Sequence, residues 1–337
     1  MWLTFKNKRE VALMKRYAYT PKQVILVDPV YFRVRKENIH DNRMIQPDEK
    51  RLRTQATAIY NMYANLGTRV LFVPPHKYLE SLIYPANSFF GHPDPQKKEI
   101  ILSNMLLDTR THEPEEIKQW FPIAGYNIYI IPRILHKSPD EQVEMTFEGF
   151  GDLLPGRDMW FAGIGERTTQ EAVEYVSKQF GLEEKKPIAY LRLVNPYFYH
   201  LDTCLLSLRY TNHLIYYPGA FDKRTIGFLR TLECERYEVS EHLAKDYLIC
   251  NSVPFGKIVI LNAPFGGISE KSMLRSAQGI LLSKTDRRFR EIKERSHEYA
   301  DFIEYLWSVG YGTIPAYTSE VRKDGAGIFC LSNFVHL

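Results

Sequence analysis

The segment Arg192-Leu-Val-Asn-Pro-Tyr-Phe-Tyr-His200-Leu-Asp-Thr-Cys204 is the stretch from which the rest of the chain is read. Read as a strand, it puts His200 and Asp202 on one face, two residues apart, with Cys204 on that face as well. An imidazole beside a carboxylate suits proton transfer around a cationic substrate. A structural His–Asp hydrogen bond near a sheet end accounts for this segment taken alone equally well. For Cys204 the favoured reading is core packing.

Three further segments carry candidate chemistry. In Thr146-Phe-Glu148-Gly-Phe-Gly-Asp152-Leu153 two carboxylates flank a Gly-x-Gly, so the chain can bend and bring both toward one point; an acidic loop is the plainer alternative. Gly163-Ile-Gly-Glu-Arg167-Thr-Thr169 ends at an expected helix N-terminus, where Arg167 offers a planar fork for a carboxylate or forms a surface ion pair. Near the end, Gly325-Ala-Gly-Ile-Phe-Cys330-Leu-Ser332 lets the backbone turn sharply or approach something closely just before a thiol. A nucleophilic thiol needs thiolate character and an open approach, and a buried apolar Cys fits that fragment alone better.

Composition narrows the classes. The 337 residues are 45% hydrophobic and 25% charged, as in a folded globular chain. Lys and Arg number 44 against 40 Asp and Glu, and the resulting +4 with no long basic run argues against a nucleic-acid partner. The aromatic content of 13% reads as core packing. Cys204, Cys234, Cys250 and Cys330 form no CxxC pair and have no His at zinc spacing, so neither a structural metal nor a disulfide framework is expected. Residues 1–16 lack an apolar stretch of signal length, and no window approaches a membrane span, so a cytoplasmic protein with no membrane partner is the expectation.

Aliphatic runs at 24–27, 70–73, 100–102, 128–131, 214–217 and 258–261 read as strands, several stopped by Pro or Asp. Between them, Asp48 is expected to cap a helix with Leu52, Ala56, Ile59, Tyr60 and Tyr63 on one face, ending at Gly67. Thr168 is expected to cap a second helix, ending at Gly181, and a third runs from about Asp286 to Gly310. Strands and helices alternate throughout, which predicts one α/β domain. Residues 264–285 are weakly patterned and read as a surface excursion. No exact internal repeat is visible. Of the ten histidines, only His200 sits in a recognisable setting; His112, His213 and His336 read as surface or loop residues.

Each segment is weak by itself, but their order is informative. An acidic Glu-Gly-x-Gly-Asp loop (148–152), the segment 192–204, Tyr216-Tyr-Pro-Gly-Ala-Phe-Asp222, Cys250-Asn251 and a glycine-rich run ending in Cys330-Leu-Ser332 resemble the guanidine-modifying (pentein) superfamily. That group includes arginine deiminases, dimethylarginine dimethylaminohydrolases, arginine dihydrolases and amidinotransferases, and the likeness, from about Val24 onward, is greatest to a bacterial dimethylargininase-like or amidinotransferase-like branch. The resemblance implies a five-bladed pseudosymmetric α/β propeller with the site in its central channel. It implies Cys330 as nucleophile, His200 as general acid/base and Glu148 as the carboxylate that positions it. Asp202 would contact the guanidinium, with Asn87 and Asp152 also at the substrate, and Arg167 and, less directly, Arg110 would take a substrate carboxylate.

No cofactor or metal is called for. The implied activity is hydrolysis of a C–N bond in a guanidino or ureido small molecule such as arginine or a methylarginine. Transfer of the amidino group to an amine is the alternative, and a non-enzymatic binding protein of the same fold is a minor one. Asn87 stands where deiminases carry a second guanidinium-binding Asp, which counts against simple arginine deimination. Residues 264–290 look longer than usual for the branch and are expected to form an insertion serving as lid or interface. The oligomeric state is not legible; a homodimer is compatible.

Overall fold

A computed structural model of the chain describes residues 20–35, 44–94, 96–121 and 125–335. Residues 1–16 and His336, read above, lie outside the described residues. All six expected aliphatic runs are strands, with ends shifted by at most two residues. They are not scattered through one continuous sheet. Among the described residues five separate three-stranded sheets form, and each follows one plan: a short strand antiparallel to a central strand, which is parallel to an outer strand.

The plan repeats along the chain. Phe89–Gly91, Glu99–Leu102 and Asn127–Ile130 make one sheet, and Leu153–Pro155, Trp160–Ile164 and Ile188–Arg192 the next. Leu205–Leu208, His213–Tyr216 and Glu235–Glu238 follow, then Val253–Phe255, Ile258–Ala263 and Gly312–Tyr317. The remaining sheet joins distant parts of the chain. Gln23–Val27 is parallel to Arg69–Val73 and antiparallel to Asn333–Phe334, with Val24 opposite Phe334. In every sheet helix lies between the central and outer strands, as a parallel connection requires. These five ββαβ units match in number and plan the blades that the resemblance to the pentein propeller implies. A separate hairpin pairs Ile134–Ser138 with Glu141–Glu144.

Local chemistry explains the helix ends. Asp48 accepts from Arg51 N and starts Glu49–Asn65, as expected, but the buried face is Leu52, Gln55, Ile59, Met62 and Tyr63, while Tyr60 is exposed. Helix Gln170–Phe180 ends at Gly181 with φ 60°. Its N-cap is Thr169, one residue later than expected, because the Thr168 hydroxyl is drawn inward to Asp152. The long helix expected from Asp286 is two, Arg287–Arg295 and His297–Ser308. Ser296 breaks them with an extended backbone and caps the second through Tyr299 N. Within 264–290, Glu270–Ala277 forms a helix packed on Glu49–Asn65 and Gly312–Tyr317. Arg288 in this region is fully buried, held by Asp286, Ser276 and the Leu281 carbonyl.

Candidate active site

Each blade's short inner strand is entered through a tight turn, and these turns carry six of the eight candidate residues. Asn87 precedes Phe89–Gly91, Glu148 and Asp152 precede Leu153–Pro155, and His200 and Asp202 precede Leu205–Leu208. Asn251 precedes Val253–Phe255, and Cys330 precedes Asn333–Phe334. The one-turn helices at 85–87, 149–151 and 201–203 show the equivalence directly. The segment 200–204 is therefore a turn and not a strand, and the expectation that His200 and Asp202 share a strand face is corrected. The turn sends them to different partners.

His200 goes to Glu148. Its Nε2 lies 2.8 Å from Glu148 Oε2, with both side chains buried. No protein partner engages His200 Nδ1 among the described residues. Glu148 also lies 3.6 Å from Nη1 of both Arg110 and Arg167. Burial pushes the Glu148 carboxyl up, but the His200 hydrogen bond and the charges of His200, Arg167 and Arg110 overcome this and hold it at about 2. Glu148 is thus an ionised anchor for the imidazole.

Asp152 sits 4.0 Å from His200 Nε2, but both its oxygens are engaged within the protein. Oδ1 accepts from Leu201 N at 3.0 Å and Oδ2 from the Thr168 hydroxyl at 2.7 Å. It is placed to brace the His200 turn, where the sequence suggested substrate contact. Burial raises its carboxyl to about 7, only partly offset by His200, Thr168 and the Leu201 amide.

Asp202 goes to the thiol. Cys330 Sγ lies 3.4 Å from Asp202 Oδ2, and Asn251 Nδ2 donates to both, at 3.0 Å to Oδ2 and 3.1 Å to Sγ. Asp202 Oδ1 is buried with no hydrogen-bond partner among the described residues. Burial raises Asp202 to about 7 against the opposing bonds from Cys330 and Asn251. Burial and the neighbouring Asp202 both raise Cys330, so the resting pair holds a proton and Cys330 is a thiol.

The two arginines differ. Arg110 is clamped in a fork by buried Glu113, with contacts of 2.8–3.1 Å, and its Nη1 reaches Asn87 Oδ1 at 3.4 Å. Arg167 stacks on Tyr199, with its guanidinium carbon 4.5 Å from the ring centroid. Its Nε and Nη1 are buried and make no hydrogen bond among the described residues. Asn87 Nδ2 also donates to the Glu148 carbonyl at 3.4 Å. All eight candidates are therefore at most 3% exposed, except Cys330 at 5%.

Sequence reasoning quoted Asn251 in a motif without giving it a role, read Thr168 only as a helix cap, and passed over Glu113 and Asn262. Asn262 Oδ1 accepts from Ile328 N at 3.0 Å and helps hold the Cys330 loop. A Cβ on Gly327 would fall 2.6 Å from Oδ1 of both Asn251 and Asn262, so the glycine is required by close approach. The expectation for Cys204 holds: it is fully buried and bonds only backbone carbonyls.

The family model described as N,N dimethylarginine dimethylhydrolase, eukaryotic, matches residues 28–247, more than half of the chain. The chain belongs to this family. Among curated relatives of this dimethylargininase-family chain, the bifunctional arginine dihydrolase/ornithine cyclodeaminase AgrE of Nostoc is 33% identical over 195 residues, covering 56% of this chain and 25% of AgrE. The chain spans about a quarter of the length of AgrE and of the related Synechocystis protein ArgZ. The N(G),N(G)-dimethylarginine dimethylaminohydrolase of Mycobacterium tuberculosis is 29% identical over 215 residues, covering 63% of this chain and 62% of that enzyme. The fold matches the substrate-bound N-terminal domain of ArgZ with a TM-score of 0.70 and 23% identity, covering 93% of this chain and 98% of that one. It also matches the dimethylargininase of Pseudomonas aeruginosa complexed with citrulline, with a TM-score of 0.65 and 16% identity, covering 93% and 99%.

Proposed function

We propose that the protein is a cysteine-dependent hydrolase of C–N bonds in a guanidino compound of the arginine or methylarginine type. One observation carries this reading. A buried carboxylate touches the thiol through one oxygen and has its other oxygen unpartnered, which is a receptor for a planar cation beside a nucleophile. The relatives named as dimethylargininase and arginine dihydrolase support the same chemistry.

A guanidinium carbon is a poor electrophile because resonance spreads its charge, so the site must hold and polarise it. In this reading Asp202 takes the cation, and the added positive charge favours transfer of the Cys330 proton to His200. The thiolate forms a C–S bond to the guanidinium carbon. The tetrahedral adduct collapses by breaking a C–N bond, and the departing amine takes a proton from His200. Glu148 occupies Nε2, so Nδ1 is the nitrogen that exchanges protons. His200 then takes a proton from water, whose oxygen attacks the same carbon, and C–S cleavage releases the product and regenerates Cys330. Arg167, whose Nε and Nη1 make no hydrogen bond among the described residues, is the better candidate for a substrate carboxylate. Arg110, held by Glu113, is better placed to hold Glu148 and Asn87.

The test is incubation with arginine and with dimethylarginine, with and without glycine, lysine or ornithine as acceptors. Ammonia, methylamines, citrulline, ornithine and new guanidino products are then assayed. Amine release without an acceptor is expected, and Cys330→Ser should abolish it while leaving the circular dichroism spectrum unchanged. Product formed only when an acceptor amine is present would establish transfer instead. Turnover by Cys330→Ser near the parent rate would remove the thiol from the mechanism.

A further inference from the structure

Asn251 belongs to a blade that contributes none of the eight candidate residues, yet it makes the densest set of contacts to the nucleophile. Its Oδ1 accepts from Phe329 N at 3.1 Å and from Cys330 N at 3.4 Å. Those two backbone donors fix the amide orientation, because a flipped amide would set N–H against N–H. Nδ2 must then face the other way, toward Cys330 Sγ and Asp202 Oδ2. Asn251 is fully buried, and its own carbonyl accepts from Phe329 N at 3.3 Å. The side chain therefore ties the nucleophile's backbone, the nucleophile's sulfur and the cation-binding carboxylate to one planar group.

We infer that Asn251 is the positioning residue of the nucleophile: its amide N–H is aimed at Cys330 Sγ to stabilise the thiolate and to keep it at a set distance from Asp202. A thiol sulfur accepts a hydrogen bond weakly and a thiolate strongly, so an N–H held on the sulfur favours the charged form. The effect opposes what surrounds the sulfur. Asp202 disfavours thiolate by charge, and Tyr84 and Tyr199 are the other titratable groups whose charge is coupled to it. Burial keeps both phenols neutral, and Tyr84 is hydrogen-bonded to Asp324 at 2.9 Å. Asn251 is the side-chain donor that, with the Gly327 backbone, favours the thiolate. Its second hydrogen on Asp202 Oδ2 leaves Oδ1 as the oxygen for a cation, so one amide both supports the nucleophile and orients the receptor.

This inference deepens the hydrolase reading and rests on it for the word nucleophile, but its test needs no substrate. The rate of Cys330 alkylation by iodoacetamide is followed against pH by peptide mass spectrometry in the parent, Asn251→Ala and Asn251→Asp. The aspartate keeps size and an oxygen for the two backbone donors but loses the N–H, and its charge adds to the slowing; it guards against misfolding of the alanine variant, which reports the lost N–H by itself. Both variants should alkylate about tenfold or more slowly at pH 8, with the rate profile displaced upward by about one pH unit or more. In the turnover assay kcat should fall further than KM rises. A merely structural asparagine would loosen the loop when replaced and expose the sulfur. An unchanged or faster alkylation rate in folded Asn251→Asp would overturn the assignment. If alkylation slows as expected but no guanidino compound is ever turned over, the hydrolase reading fails and the thiol-positioning role stands.

Discussion

Burial acts on Glu148, Asp152 and Asp202 alike, and the partner decides the outcome. Glu148 faces an imidazole and two guanidinium groups and stays ionised at about 2, whereas Asp202 faces a thiol and an amide and rises to about 7. The two shifts act on stability with opposite sign. Glu148 is depressed from its ordinary 4.5, so its contribution is present above that value and lost as pH falls toward 2. Asp202 is raised from 3.8, so the folded state holds the extra proton; that stability is present below about pH 4 and lost as pH rises through 7. Asp202→Asn should therefore have a thermal midpoint above the parent's at pH 8, with the gap closing by pH 4. A gap that does not vary with pH would show that burial is not the source. The same reasoning makes arginine bind the parent more tightly as pH rises through 7, a dependence that isothermal titration should find missing in Asp202→Asn.

At the scale of the element, the turn entering each inner strand has little room for change. Gly325 ends the one-turn helix Val321–Asp324 with φ 81°, and Gly327 lies against two asparagine oxygens. Gly327→Ala forces the loop off Asn251 and Asn262, and overpacking of this kind costs about 1–3 kcal/mol. The expected result is a lower denaturation midpoint together with a loss of turnover larger than the stability change explains. Normal turnover at temperatures where the variant is folded would mean the loop can relax without moving Cys330. The helix ends are more ordinary. Asp222 accepts from Thr225 N at 2.7 Å to start Lys223–Thr231, and Asp222→Ala should cost about 1 kcal/mol by chemical denaturation while leaving kcat intact.

For the whole molecule, the sheet that joins Gln23–Val27 to Asn333–Phe334 sets the Cys330 turn beside the Asn87 turn. Asn333 makes the connection, donating to the Pro85 and Phe89 carbonyls at 2.7 and 3.0 Å from a fully buried position. Tyr63 adds a bond to Ser332 at 2.8 Å. Asn333→Ala removes two buried hydrogen bonds, although the Pro85 carbonyl keeps its bond from Ser88 N; the cost is about 1–3 kcal/mol, and the Asn87 turn is freed relative to Cys330. The expected readouts are a lower urea midpoint and a reduced kcat. Unimpaired activity with lowered stability would mean that Asn87 is positioned by Arg110 and the Glu148 carbonyl alone.

Much of this was legible in sequence, and what was not has a common cause. Aliphatic runs, Asp48, Gly181 and the Gly-Ala-Gly before Cys330 report local preferences, because strand burial, helix caps and tight turns depend on residues within a few positions of one another. The hidden five-fold repeat did not show, since equivalent turns hold Asn87, Asp152, Asp202, Asn251 and Cys330, and a repeat of backbone shape need not repeat side chains. Spacing could not reveal that His200 and Asp202 part company at a turn, or that Asn251 reaches the sulfur. Those outcomes are contacts between residues up to 128 positions apart. They form only when the blades pack with their inner strands together, because a hydrogen bond acts over about 3 Å of space and is indifferent to separation along the chain.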